Sequence, residues 1–248
     1  MSYSGFAQYY DALTEDVDYT LYCDYFEALF LAFGKKPEIV LDAACGTGSL
    51  SLELCKRGYS VIGLDSSIEM LTAAKDKAYD AELDILFLAQ DLSKMDLYGT
   101  VDAVICFLDS LNHITDEKLL LEAFCKIALF LHPEGIFIFD VNTVYKHREV
   151  LADSTFVSEA EELFCVWRNA LLEDGFTTQI NLDFFAKTGD NQYIRSFEQF
   201  DERAYTHEEL SALLSAAGLE ILAVYGDLTQ ETPNAESQRN FYVVKKLV

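Results

Sequence analysis

The chain has 248 residues, a formal net charge of −24 at pH 7, and 42 acidic side chains against 18 lysines and arginines. Because 51% of its residues are apolar, it carries enough hydrophobic surface to fold and is not an acidic disordered segment. The excess of acid argues against nucleic acid and anionic membranes as partners, since lysine and arginine bind phosphates and acidic lipids.

Other features of composition point to a cytoplasmic, reduced protein. The first residues lack a basic segment followed by an apolar one, and no apolar run approaches the roughly 20 residues that cross a bilayer. The six cysteines form no CxxC pair, and the four histidines have no metal-ligand spacing with them. We therefore expect free thiols and no bound metal.

The first 140 residues alternate short apolar runs with helical patterns. Strands are predicted at 38–42, 60–65, 85–89, 103–107 and 136–140. Helices are predicted at 49–57, ended by Gly58, from Ser66 towards Tyr79 with a Ser66–Glu69 capping box, and at 116–131, ended by His132 and Pro133. Apolar strands that alternate with helices are typical of a parallel sheet with helices on both faces. The pattern predicts a doubly wound α/β fold.

The pattern changes after residue 150. Three strand-like runs, 163–172, 176–186 and 192–200, follow one another without a helix, and Asp174-Gly175 predicts a hairpin between the first two. Apolar and polar residues alternate in the second run, so one face should be solvated. A helix at 206–217 with a Thr206–Glu209 capping box and strands at 221–225 and 241–246 then complete a seven-stranded sheet. We predict one α/β domain (1–145 and 201–248) with an inserted antiparallel β subdomain (146–200).

The most informative stretch is the glycine-rich loop after the first strand, DAACGTG at 42–48. Glycines between a strand and a helix let the backbone approach a ligand, and amides at the helix start face it. Dinucleotides use similar loops, but Ser51 stands at the third glycine position of their fingerprint. Ala44 is tolerated in this loop if its φ is negative.

Three carboxylates lie at the ends of successive strands: Asp42 and Asp65 end the first two strands, and Asp91 follows the third. In an open α/β sheet these strand ends share the edge at which ligands bind. S-adenosyl-L-methionine would use all three acids, with its ribose hydroxyls on Asp65, its adenine amino group near Asp91 and its cationic methionine part near Asp42. It carries no phosphate, which agrees with the lack of lysine and arginine in the loop.

These residues resemble the class I S-adenosylmethionine-dependent methyltransferases, whose fold is a Rossmann-like seven-stranded sheet. The matching segments are VLDAACGTG (40–48), GLDSSIEML (63–71), QDL (90–92), VDAVI (101–105), LHPEGIF (131–137) and the opening FAQYYD (6–11). Ala44 departs from the pattern, because it stands where the family has its first loop glycine.

The resemblance implies a set of cofactor contacts. These are Asp42, Ala43 and Gly46 around the methionine, Asp65, Ser66 and Met70 around the ribose and adenine, Gln90, Asp91 and Leu92 around the adenine, Phe107 and Leu108 near the sulfonium, and Tyr10 and Tyr19 as lids. Ordinary structural roles stay open for several of them. The tyrosines could simply pack, Met70 could fill the core, Asp65 could cap a helix, and Asp91 could be a solvated loop acid.

The acceptor side is less readable, because methyl transfer needs positioning more than a dedicated base. Asn112 and His113, after the fourth strand, are the catalytic candidates, and Trp167, Arg203 and Tyr205 are candidates for a substrate wall. Loop hydrogen bonds, core packing and surface ion pairs are the alternatives. The acids at 159, 161 and 162 form a solvated face or attract a cationic acceptor such as an amine.

The sequence favours a methyltransferase that acts on a small molecule. An RNA or protein methyltransferase is the nearest alternative, with RNA disfavoured by the charge. An NAD-dependent oxidoreductase and a non-catalytic cofactor-binding protein remain from other classes. The acceptor and the oligomeric state are left open.

Overall fold

The computed structural model describes residues 7–160, 162–189 and 192–247. The strands in this part of the chain are β1 (Ile39–Ala43), β2 (Ser60–Asp65), β3 (Leu86–Ala89), β4 (Val101–Cys106), β5 (Leu131–Asn142), β6 (Thr155–Ala160), β7 (Leu163–Leu171), β8 (Thr177–Gly189), β9 (Gln192–Arg203), β10 (Leu219–Gly226) and β11 (Arg239–Lys246). The α-helices are α1 (Ala7–Leu13), α2 (Tyr19–Ala32), α3 (Ser49–Lys56), α4 (Ile68–Asp80), α5 (Glu117–Phe130) and α6 (His207–Ala216).

The larger sheet has seven strands in the order β10-β11-β5-β4-β1-β2-β3. Strands β1 to β5 pair in parallel, and β11 runs antiparallel to both of its neighbours. The carboxyl ends of β1, β2, β3 and β4 therefore meet at one edge. The predicted doubly wound seven-stranded α/β fold is confirmed, and so is a separate small antiparallel sheet, β6-β7-β8-β9.

The large sheet is buried on both faces because successive side chains of a strand point to opposite sides. Val104 packs with Phe124 of α5 in one hydrophobic cluster, while the next residue, Ile105, packs with Phe26 of α2 in another. All four of these side chains are fully buried. This two-sided core explains why the strands read as continuous apolar runs.

Two predicted boundaries were wrong and one strand was missed, each for an identifiable reason. Helix α4 is capped by Ser67 rather than Ser66, since the Ser67 hydroxyl accepts from the Met70 amide at 3.2 Å. Strand β5 begins at Leu131, directly after α5, where Leu131 already pairs with Val101 of β4. Strand β6 was missed because its side chains are exposed except at Ala160, so it shows no apolar pattern.

The small sheet also departs from its predicted half-solvated face. Asp183, expected in solvent, is buried, and Arg168 and Arg195 of the neighbouring strands donate hydrogen bonds to it. The Asp174-Gly175 hairpin is confirmed, with Asp174 accepting from the Phe176 amide at 2.9 Å. The Thr206–Glu209 capping box at α6 is also confirmed.

In the described ranges, every α-helix is too short or too polar to cross a membrane.

Arg239, on the last strand, forms ion pairs with two acids near the carboxyl edge of the large sheet. Arg239 opens β11 and forms ion pairs with Asp140 of β5 and, at 2.5 Å, with Asp109 in the loop after β4. Asp140 is fully buried, and the Arg239 side chain is 15% exposed. Charges taken out of water in this way need partners, because an unpaired buried charge is costly.

Arg239→Met is therefore expected to lower the free energy of unfolding by about 3–5 kcal/mol, because it leaves the fully buried Asp140 without its ion-pair partner and removes one of the cations near Asp109. The loss should shrink as the pH falls, because burial already raises the pKa of Asp140 and the missing guanidinium no longer opposes its protonation in the folded variant. Urea unfolding at several pH values measures both effects.

Lys245→Met is the matched control, since Lys245 lies on the same strand in an exposed pair with Glu220 at 2.9 Å. It should change the unfolding free energy by no more than about 1 kcal/mol. Equal effects of the two substitutions would contradict the structural role of Arg239.

Candidate active site

A cavity of about 510 Å³ opens at the carboxyl edge of the large sheet. Its walls come from α1, from the loops after β1, β2, β3 and β4, and from β7, β8 and β9 of the small sheet. A volume of this size lies in the range of ligand sites, roughly 300–1,000 Å³. Many of the predicted site residues line this cavity.

The glycine-rich loop forms one wall and is tightly turned. Ala44, Gly46 and Gly48 have φ values of +59°, +54° and +76°. Ala44 thus does not meet the condition of a negative φ under which an alanine costs little, and an L-residue in this region is strained by about 1–2 kcal/mol. A Cβ on Gly48 would lie 2.9 Å from the Ala74 Cβ, so this position also needs glycine for space.

Asp42 lies behind the loop and is fully buried. The Ser51 hydroxyl donates to its Oδ2 at 2.5 Å, while its Oδ1 has no hydrogen-bond partner among the described residues. Burial raises the pKa of Asp42 to about 7. Ala43 is equally buried, and neither residue lines the cavity directly.

Asp65 joins two loops and lines the cavity. Its carboxylate accepts from the amides of Gly46 and Ser67, each at 2.8 Å. Burial raises the pKa of Asp65, and these amide hydrogen bonds act in the opposite direction. Gly46, Ser66 and Met70 line the cavity beside it.

The segment after β3 supplies the next part of the wall. Gln90, Asp91 and Leu92 all line the cavity. The Gln90 side-chain oxygen accepts from the Asp96 amide at 2.8 Å, which fixes its orientation. Asp91 is exposed and caps a short turn by accepting from the Ser93 amide at 2.8 Å.

Helix α1 covers the glycine-rich loop. Tyr10 lines the cavity, and a Cβ placed on Gly46 would lie 3.7 Å from its ring. Asp11 holds the helix down, because it accepts from the Thr47 hydroxyl at 2.6 Å and pairs with Lys77 of α4 at 2.9 Å. Phe6, at the start of the predicted N-terminal element, is outside the described residues.

Tyr19 and Phe107 lie outside the cavity wall. Their rings meet edge to face at 6.0 Å, and Phe107 also contacts Phe26 of α2. The neighbouring Leu108 lines the cavity, with a φ of +54° that turns the chain after β4.

The far end of the cavity lies between the loop after β4 and the small sheet. His113 and Trp167 line it, as predicted positions, together with Asp109, Phe200 and Glu202. His113 Nε2 is 3.5 Å from Glu202 Oε1, and its ring packs on Phe200 at 5.0 Å.

Three other acceptor-side candidates do not reach the cavity. Asn112 is buried and donates to the carbonyl of Arg203 at 2.8 Å. Arg203 pairs with Glu117 and Glu209, both at 2.8 Å. The buried Tyr205 donates to the Ile114 carbonyl. Of the acidic run, Glu159 and Glu162 are exposed, and Glu161 is outside the described residues.

Ionisable groups at this end perturb one another. Burial acts to raise the pKa of Asp109, but Arg239, Lys146 and His113 lower it to about 2. Burial and the nearby Asp109 raise the pKa of Glu202 to about 8. Burial lowers the pKa values of His113 and Lys146. Groups perturbed by burial and a charged neighbour in a cleft are typical of functional sites.

Asp109, Phe200, Glu202 and Arg239 were missed as site residues. Asp109 could have been found, since it lies in the loop after β4, at the edge where Asp65 ends β2. The others lie on β9 and β11, far along the chain from the glycine-rich loop, in segments with no recognisable motif.

Comparisons with known proteins agree with this geometry. A family model described as a methyltransferase domain matches residues 40–135. The Bacillus subtilis protein named "Putative methyltransferase YqeM" is 34% identical over 247 residues, which cover 99% of this chain and 98% of that protein.

Two solved methyltransferase structures share the fold of this chain. An S-adenosylmethionine-dependent methyltransferase from Clostridium acetobutylicum is 31% identical and has a TM-score of 0.89, with 99% of both chains covered. The S-adenosylmethionine-bound structure of CalS10, an amino pentose methyltransferase from Micromonospora echinaspora, shares the fold with a TM-score of 0.77 and 19% identity over 96% of each chain.

The full-length similarity, the seven-stranded sheet and the cavity at its carboxyl edge lead to one assignment. The chain belongs to the S-adenosylmethionine-dependent methyltransferases, enzymes that take the methyl group from S-adenosyl-L-methionine.

Proposed function

We propose that the protein methylates a small molecule, with cofactor and acceptor bound at opposite ends of the one cavity. The observation that carries this proposal is the continuity of the cavity from Asp65 and Gln90 at one end to Trp167 and Glu202 at the other. The inserted segment 146–200, with α1, would cover the acceptor and limit its size.

The residues at the first end fit S-adenosyl-L-methionine. Asp42 is fully buried behind the glycine-rich loop and outside the cavity wall, so it would support the methionine end through that loop rather than by direct contact. The Asp65 carboxylate accepts two hydrogen bonds from backbone amides. Because a carboxylate has about four lone-pair sites, it can also accept from two ribose hydroxyls. Gln90 and Asp91 offer polar atoms to an adenine, and Met70 and Leu92 offer apolar surface.

The remaining predicted residues take supporting roles in this proposal. Ala43 and Gly46 shape the methionine end, Ser66 lies beside Asp65, and Tyr10 closes the site from α1. Leu108 faces the cavity between the two ends. Tyr19, Phe107 and Asn112 act as positioning residues, because they contact the wall from outside the cavity.

When bound, the cofactor supplies a methyl group activated by a sulfonium. The protein's own contribution is to hold the acceptor in line and to exclude water, which can supply much of the rate enhancement. A proton acceptor is needed only if the acceptor arrives protonated. His113 is the predicted catalytic residue that lines the cavity and could take this role.

A small acceptor is favoured over RNA and protein. The net charge of −24 disfavours a polyanion, and the cavity is bounded by residues of two sheets and a helix. CalS10, which shares the fold, acts on an amino pentose, a small molecule.

To test the acceptor class, we would incubate the protein with methyl-labelled S-adenosyl-L-methionine and a bacterial extract. Label should appear in the small-molecule fraction and not in precipitated RNA or protein. Label confined to the macromolecular fraction would overturn the proposed acceptor class.

Calorimetry checks the cofactor end. S-adenosyl-L-methionine and S-adenosylhomocysteine should both bind, whereas NADH should give no heat, because the cavity wall of described residues holds no lysine or arginine for a pyrophosphate. Tight NADH binding without a response to either sulfur ligand would contradict the proposed site.

Asp65→Ala should weaken S-adenosylhomocysteine binding by at least about 100-fold, since two hydrogen bonds to a charged acceptor contribute roughly 1.5–3 kcal/mol each. Asp76→Ala is the control, because it removes one exposed carboxylate from the following helix α4. Titrations are run at a temperature well below the thermal unfolding midpoint of each variant. Unchanged affinity in Asp65→Ala would remove Asp65 from the cofactor site.

A further inference from the structure

The cavity wall is mainly apolar, and its acidic side chains outnumber its basic ones. Among the described residues that line it, five are acids and none is a lysine or arginine: Asp65, Asp91, Asp109, Asp116 and Glu202. The proposed cofactor contacts use the first two. The other three lie towards the acceptor end, where a carboxylate or phosphate on the acceptor would find no lysine or arginine among the described residues of the wall.

The charges behind the acceptor end leave one acid in excess. Asp109 and Asp140 are balanced by Arg239, which pairs with both, and by Lys146, which lies near Asp109. Glu202 is the remaining carboxylate, with 4% of its surface exposed. A buried carboxylate in excess is complementary to a cation that enters the cavity.

Aromatic rings accompany this acid. Trp167 and Phe200 line the same end, and the Phe200 ring packs against His113, which lies next to Glu202. The faces of aromatic rings attract ammonium groups, most strongly where water is excluded. Aromatic and apolar walls beside the buried Glu202 favour a compact cation that has an organic body.

We propose that the acceptor is a small primary or secondary amine, bound as its ammonium against Glu202 and His113 beside Trp167 and Phe200, and that the protein is an N-methyltransferase. This inference deepens the proposed function and rests on it. The established family assignment leaves the acceptor atom open.

The chemistry requires a proton acceptor at this position, because an ammonium nitrogen has no lone pair. Ionised Glu202, or His113, takes one proton from the ammonium. The freed nitrogen lone pair then forms the N–C bond as the C–S bond of the donor breaks, and that electron pair remains on sulfur. The positive charge passes from sulfur to the methylated nitrogen, so atoms and charge balance.

The environment of Glu202 suits it for this step. The groups that face it are Asp109 after β4, His113 in the following turn, Lys146 after β5 and Arg239 on β11. Burial and Asp109 raise the pKa of Glu202 to about 8, while Lys146 and Arg239 oppose the rise. Burial and Asp109 therefore favour the protonated carboxyl in the free protein, and a bound ammonium favours its ionised form.

Asp109, His113 and Glu202 also approach one another closely enough to be considered as metal ligands, their ligand atoms lying within 4.8 Å. The pairing of Asp109 with Arg239 disfavours this use, because a cation would have to compete with the guanidinium.

The test uses three probes of matched shape, benzylamine, benzyl alcohol and benzoate, titrated by calorimetry into protein saturated with S-adenosylhomocysteine. Benzylamine should bind at least about tenfold more tightly than the other two, because only its ammonium gains a buried counter-charge. Its binding should strengthen from about pH 6 to pH 8 and release a proton, as Glu202 ionises. Equal or tighter binding of the alcohol or benzoate would overturn the proposal.

Glu202→Gln keeps the shape of the side chain and removes its charge. It should abolish both the preference for benzylamine and the proton release without weakening S-adenosylhomocysteine binding. Glu208→Gln, at an exposed position on α6, is the control and should preserve both. Because burial disfavours the Glu202 charge, the variant should fold, and its unfolding midpoint verifies this.

The design separates the two levels of the proposal. Failure of S-adenosylhomocysteine to bind would remove the proposed cofactor site, whereas cofactor binding without an amine preference would remove the amine assignment alone. Amine binding that disappears with EDTA and returns with a divalent cation would replace the proton-accepting role of Glu202 with a metal site and overturn the proposal.

Discussion

The ion pairs of Arg239 with Asp140 and Asp109 are the interaction on which the acceptor end of the cavity depends. They join the first residue of β11 to the end of β5 and to the loop after β4, three segments that the sheet topology makes neighbours. Asp109 has a φ of +53°, and such a conformation persists only where the surroundings hold it. The Arg239 guanidinium keeps Asp109 in this conformation through its ion pair and balances the negative charges of Asp109 and Asp140.

Asp65 has the corresponding role at the other end. By accepting from the Gly46 and Ser67 amides, it fixes the loops after β1 and β2 relative to each other. Asp11 then fastens α1 over the same loop through Thr47 and Lys77. The cofactor end is thus built from residues close to one parallel edge, while the acceptor end is closed by the small sheet.

This division explains the different success of prediction at the two ends. Asp65, Gly46, Met70 and the segment after β3 could be predicted to lie together, because a strand, a tight turn and a helix form a local unit whose repeats share an edge. Trp167 also reaches the cavity. Arg203 and Tyr205, chosen on residue type, do not reach it: Arg203 pairs with Glu117 of α5 and Glu209 of α6, and Tyr205 donates to the Ile114 carbonyl before α5.

By itself, the sequence determined the α/β order, the parallel sheet and the edge that carries the glycine-rich loop, because these follow from local periodicity and from the two-sided burial of parallel strands. It could not determine the left-handed conformation of Ala44 or the exposed strand β6, which has no apolar pattern. The acidic acceptor end was decided only by tertiary structure. Glu202 and Arg239 reach Asp109 across 93 and 130 positions of the chain, and the charge balance of a buried cluster depends on which groups the fold brings together.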